Sequence, residues 1–98
     1  MARYGLILGL KPNLSADRQK KVLAKVEDLV VGAGGGVEEI KSKGSTSLAY
    51  PVSGFTELIF VTISLSIPEE KAESLQKELR LIKEILRMMF LREEVKNR

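Results

Sequence analysis

The 98-residue chain contains neither cysteine nor histidine. Without cysteine it can form no disulfide and no thiolate metal site. Without histidine it lacks the commonest general base and the commonest metal ligand. These absences weigh against metalloenzyme, catalytic-triad and redox chemistry, and no metal or cofactor is expected; they do not exclude carboxylate chemistry. No apolar run is long enough to span a membrane, so no membrane partner is expected. Met1-Ala2-Arg3-Tyr4 does not open a secretory signal, because the apolar stretch after it is too short and lacks a small-residue cleavage site. A cytoplasmic setting is compatible with all of this. The length suits one domain, residues 1–98, with one core.

What the chain does have is a strong strand signal between Gly44 and Ile67. Ile59, Val61, Ile63, Leu65 and Ile67 alternate with Phe60, Thr62, Ser64 and Ser66. A period of two over that distance marks a strand with one face in a core. Ser53-Gly54 supplies a hairpin turn, since glycine accepts the positive φ such turns require. The partner segment, Leu48–Val52, contains Pro51, which cannot donate to a ladder and so belongs at a sheet edge.

The remaining segments follow in order. Tyr4–Leu10 is a short apolar run suited to a central strand buried on both faces, closed by the turn signal Lys11-Pro12-Asn13. Ser15 is a good N-cap, Asp17 suits the positive end of a helix, and Val22, Val26, Leu29, Val30 and Ala33 recur at helical spacing. The glycines from Gly32 to Gly36 end that helix. They do not form a phosphate loop, because Val37 stands where the last glycine of GxGxxG belongs and the run follows a helix rather than a strand. Val37–Lys43 begins an exposed strand, with Gly44 at a bulge. Pro68-Glu69-Glu70 opens a second helix buried through Ala72, Leu75 and Leu79. From Leu79 to Leu91 the residues permit two readings. Helix propensity extends the helix to about Arg92; the uncovered edge of the first strand asks for a strand over Ile85–Arg92. Residues 93–98 read as a frayed tail. With the second reading the order is strand, helix, strand, strand, helix, strand. That is the α+β ferredoxin-like arrangement: four antiparallel strands with both helices on one face.

Charge is segregated. Residues 1–25 carry net +5, residues 26–79 net −5 and residues 80–98 net +3. If the two basic ends meet, they form a positive face of the kind that receives a polyanion.

Several short stretches together resemble the family of the sixth protein of the bacterial small ribosomal subunit. They are Arg3-Tyr4, Pro12-Asn13-Leu14, Gly35-Gly36 with Val37-Glu38-Glu39, Leu48-Ala49-Tyr50-Pro51-Val52, Glu78-Leu79-Arg80 and Leu86-Arg87-Met88-Met89. The resemblance spans residues 3 to 92. It implies the ferredoxin-like fold, a fourth strand in the ambiguous segment, no catalysis and no small-molecule substrate. It also implies binding to the central-domain platform of small-subunit ribosomal RNA, as a heterodimer with protein eighteen of that subunit.

On this basis Arg3, Tyr4, Arg80, Arg87, Met89 and Arg92 are candidate RNA contacts. Arg3 would pair with phosphate and Tyr4 would stack or hydrogen-bond. Arg3 is expected to approach the arginines of the last strand, while the opposite parity of Arg87 and Arg92 lets only one of them project from the open face unless the strand bulges. Leu48, Tyr50, Leu58 and Phe60 are the candidate patch for the protein partner. Gly54-Phe55 and Phe60 lack the basic residue and the further aromatics that single-strand stacking needs, so phosphate and shape recognition is the expected mechanism. The alternatives are a ferredoxin-like effector-binding or dimerisation module, and an acyl-phosphate hydrolase. The hydrolase would need an arginine-bearing phosphate loop after the first strand, which Lys11-Pro12-Asn13-Leu14 does not supply.

Overall fold

A computed structural model describes residues 2–93. Strand β1 (Ala2–Leu10) leads into helix α1 (Ala16–Gly32). The long strand β2 (Gly36–Val52) turns into β3 (Phe55–Ile67). A single 3₁₀ turn (Glu69–Lys71) precedes helix α2 (Ala72–Leu79), and β4 (Ile85–Glu93) ends the described chain. The sheet order is β2-β3-β1-β4, with every neighbouring pair antiparallel. The ferredoxin-like fold expected from the sequence is therefore the fold observed.

Local chemistry accounts for the element ends. The Ser15 side chain accepts the backbone N–H of Arg18, capping α1. At the other end the N–H groups of Ala33, Gly34 and Gly35 donate back to carbonyls of the last turn. Gly35 is also where the helix end meets β3. A Cβ there would lie 1.9 Å from the Ser66 carbonyl oxygen, so only a residue without one fits. In the hairpin both turn residues take positive φ, 50° at Ser53 and 84° at Gly54, and Val52 pairs with Phe55. Positive φ at both central positions is the turn geometry that matches the twist of a two-residue hairpin.

The ambiguous segment resolves as strand. Three successive turn hydrogen bonds, from Leu81 to Glu78, Ile82 to Leu79 and Ile85 to Ile82, release the chain from α2. Ile82 is buried and anchors this turn, and the Lys11 N–H donates to the Glu84 carbonyl at 3.1 Å. Helix propensity loses because continuing α2 would leave β1 without a partner on that edge. Residues 94–98, most of the expected tail, lie outside the described residues, while Glu93 is the last residue of β4.

The core lies between the helices and one face of the sheet. Leu6, Leu8 and Leu10 of β1 and Val61, Ile63, Leu65 and Ile67 of β3 meet Val22, Val26 and Val30 of α1 and Leu75 and Leu79 of α2. These are the residues that the strand and helix periodicities single out. β1 is central, as expected, but it is not buried on both sides, because no helix covers its other face. Strand β2 lies at the sheet edge and is continuous through Gly44, with register shifts between Val37 and Glu39, between Ser42 and Gly44 and between Ser47 and Val52.

Candidate nucleic-acid and partner interface

The uncovered face of the sheet is built from alternate residues of its four strands, with β1 and its neighbours β3 and β4 forming the middle and one side. Across it, Arg3, Gly5, Ile7 and Gly9 of β1 stand beside Ser66, Ser64, Thr62 and Phe60 of β3. On the other side the same four residues stand beside Glu93, Leu91, Met89 and Arg87 of β4. Glycine, serine and threonine keep the middle low. The apolar bulk is on β4, where Met89 and Leu91 are each 52% exposed.

One end of this face is basic. Arg87 belongs to the open face at the start of β4, and Arg80, the exposed C-cap of α2, approaches from the helix side. Together with Ile85, Leu86 and Met88 they line a groove of about 250 Å³ at the free edge of β4. The other end is mixed in charge. Arg3 lies 3.0 Å from Glu38, whose second carboxylate oxygen accepts the Ser66 hydroxyl at 2.8 Å. Glu93 lies opposite Arg3 in register, with its carboxylate over Gly5.

This geometry corrects three expectations, those on Arg3, Tyr4 and Leu58, and bears out a fourth, that only one of Arg87 and Arg92 projects from the open face. Arg3 does not gather with Arg87: Arg3 pairs with Glu93 and Gly9 with Arg87, so six residues of β1, about 20 Å of strand, separate them. Arg92 is beside Tyr4 in register but faces the helix side, where it makes two hydrogen bonds, 3.0 and 3.1 Å, to Glu69. Tyr4 is buried in the core and packs its ring on Phe90 with centroids 4.8 Å apart, so it offers no surface for a nucleotide. Leu58 has no exposure at all, because Gly9 opens a hollow that Leu58, Phe60 and the Cβ of Arg87 fill; a Cβ on Gly9 would come within 2.8 Å of Leu58 Cδ1.

The other named residues are accessible to different degrees. Tyr50 is 81% exposed, while Leu48 and Phe60 are half-buried. Tyr50 and Leu48 lie in the stretch of β2 between Ser47 and Val52 where the pairing with β3 is irregular. Two open-face residues, Ile7 and Leu91, are not among the candidates that the sequence suggests. Both are within reach of a parity argument: Ile7 has the parity opposite to Leu6 and Leu8, and Leu91 shares that of Met89. The carboxylate of Glu38 over the sheet was not foreseeable, since a bulge in β2 places it there.

Among the described residues, no helix is long and apolar enough to cross a membrane. Fold and surface together define an α+β ferredoxin-like domain, with one side of its sheet packed under helices and the other left bare. The family model described as ribosomal protein S6 matches residues 3–92, and the chain belongs to that family. It is 28% identical over 90 residues to the small ribosomal subunit protein bS6 of Dictyoglomus turgidum, covering 92% of this chain and 93% of that one. To bS6 of Clostridioides difficile it is 26% identical over 91 residues, covering 93% and 98%. These relatives are ribosomal proteins, not enzymes. The crystal structure of the 30S ribosomal protein S6 from Thermotoga maritima superposes with a TM-score of 0.86 at 18% identity, over 94% of this chain and 87% of that one, which shows the shared fold.

Proposed function

We propose that this chain is a structural component of the cytoplasmic small ribosomal subunit. In this reading it docks through its bare sheet face and β4 edge onto central-domain platform RNA, in company with protein eighteen of that subunit. Arg87 and Arg80, which line the same groove, meet phosphates there. Leu91 and Met89, the latter with Ile7 beside it in register, present an apolar strip for a sugar edge or an apolar partner side chain. Tyr50, exposed on β2, is the aromatic anchor available to the protein partner. Arg3 contributes less, because a phosphate must first displace Glu38 from it.

The observation that carries this reading is the half-exposed Met89–Leu91 strip running to Arg87 on a face that the helices leave bare. The test is a salt titration of binding to small-subunit central-domain RNA, with protein eighteen present, for the Arg80→Ala/Arg87→Ala variant. The slope of log affinity against log salt is expected to fall by about 0.7–0.9 for each phosphate that is no longer neutralised. An unchanged slope would count against the reading.

A further inference from the structure

We propose that one flank of α1 is a second RNA-contacting surface, on the helix layer rather than the sheet, and that it grips the phosphate backbone of a separate duplex segment. This proposal rests on the reading above for the identity of the polyanion as RNA. Arg18, Lys21 and Lys25 are spaced three and four residues apart along α1 and so share one flank of the helix. All three are exposed. That flank overlooks the turn between α2 and β4. Arg18, Lys21 and Lys25, with Val22, Ile82 and Glu84, line a groove of about 180 Å³ there. A second groove of about 340 Å³ continues past Arg18 and Glu84 to Lys11, Asn13, Leu14 and Ser15.

Among the described residues, four cations and a single carboxylate therefore line this continuous surface. The carboxylate, Glu84, is only loosely engaged, 4.0 Å from Arg18. Among the described residues, Lys11, Lys21 and Lys25 have no carboxylate within ion-pair distance. Asp17, four residues before Lys21, and Asp28, three after Lys25, border this flank but line neither groove. The capped N-terminus of α1 adds the positive end of the helix dipole beside Ser15.

Shape and composition point to a nucleic-acid backbone rather than an acidic protein. From residue 18 to residue 25 the helix rises about 10 Å. That length is enough to face several consecutive phosphates of one duplex strand. Three of the four cations are lysines and, among the described residues, no aromatic lines either groove. Protein interfaces deplete lysine and concentrate aromatics, whereas phosphates are met by lysine and arginine without regard to sequence. Because α1 covers the packed side of the sheet, this flank and the bare face point to different surroundings. One domain can then tie two RNA segments together.

The test uses the full chain and a 16-base-pair RNA duplex, titrated with salt. The K21Q/K25Q variant is compared with K21R/K25R and with the Arg80→Ala/Arg87→Ala variant. K21Q/K25Q is expected to lower the salt slope by about 1.8, the share of two phosphates, while K21R/K25R keeps it. On central-domain RNA with protein eighteen, K21Q/K25Q should remove a footprint distinct from the one that the Arg80/Arg87 variant removes. An unaltered slope with an unaltered circular dichroism spectrum would overturn the proposal, as would removal of the same footprint by both variants. So would an acidic peptide, rather than RNA, being the ligand whose binding the glutamines weaken. If the Arg80/Arg87 variant alone lowers the slope, the docking reading stands and this second surface fails.

Discussion

The two faces of the sheet come from the same strands, one residue out of phase, and they differ in nearly everything else. On the packed face β1 offers Leu6, Leu8 and Leu10, all without exposure. On the bare face the intervening positions are Gly5, Ile7 and Gly9. The first set matches the grooves of two helices and is worth several kcal/mol per deeply buried side chain. The second set leaves a low floor, and its apolar height comes from the edge strand β4. A protein that needed only to fold would gain nothing from Met89 and Leu91 at half exposure. The contrast separates residues that hold the domain together from residues available to something outside it.

The contrast breaks first where it is steepest. Leu8→Ala is expected to cost about 2–5 kcal/mol in urea denaturation, whereas Leu91→Ala, one strand away on the other face, should stay within about 0.5 kcal/mol. Equal losses at both positions would mean that the bare face is part of the core. A smaller effect is expected where the bare face has its own packing. Gly9→Val drives a side chain into Leu58 and the Arg87 stem, and overpacking of this kind costs about 1–3 kcal/mol. It should also dislodge Arg87 and weaken RNA binding beyond the stability loss, measured at a temperature where the variant remains folded. The smallest effect concerns the mixed end. Arg3 and Glu38 are about half exposed, so a double-mutant cycle to alanine should give a coupling of only about 0.2–1 kcal/mol, declining with salt.

Much of this contrast can be read from the residues. The alternation from Ile59 to Ile67 and the Val22–Val26–Val30 stripe name the packed face, and Ser15 and Ser53-Gly54 mark element boundaries that the structure keeps. Parity alone would also have placed Tyr4 inside, since it shares the phase of Leu6, Leu8 and Leu10. It would have kept Tyr4 apart from Arg3 as RNA contacts on one face. Other features depend on three-dimensional neighbours. Leu58 is buried because Gly9, distant in the chain, leaves room for it. The separation of Arg3 from Arg87 follows from antiparallel register, which puts the start of one strand beside the end of its neighbour. Charge totals by segment cannot reveal that: β1 and β4 are neighbouring strands, yet Arg3 and Arg87 stand at opposite ends and Arg3 and Arg92 on opposite faces. Segregated charge on α1, by contrast, survives folding, because a helix keeps residues three and four apart on one side.

The most direct test of the central claim is hydroxyl-radical footprinting of the assembled complex with central-domain RNA and protein eighteen. Met89 and Leu91 report on the bare face, and Val31, 60% exposed on α1, reports on the helix layer away from the basic flank. The account predicts that oxidation of Met89 and Leu91 falls strongly on assembly while Val31 keeps its free rate. Oxidation of Met89 and Leu91 at the free rate, with Val31 protected instead, would contradict it.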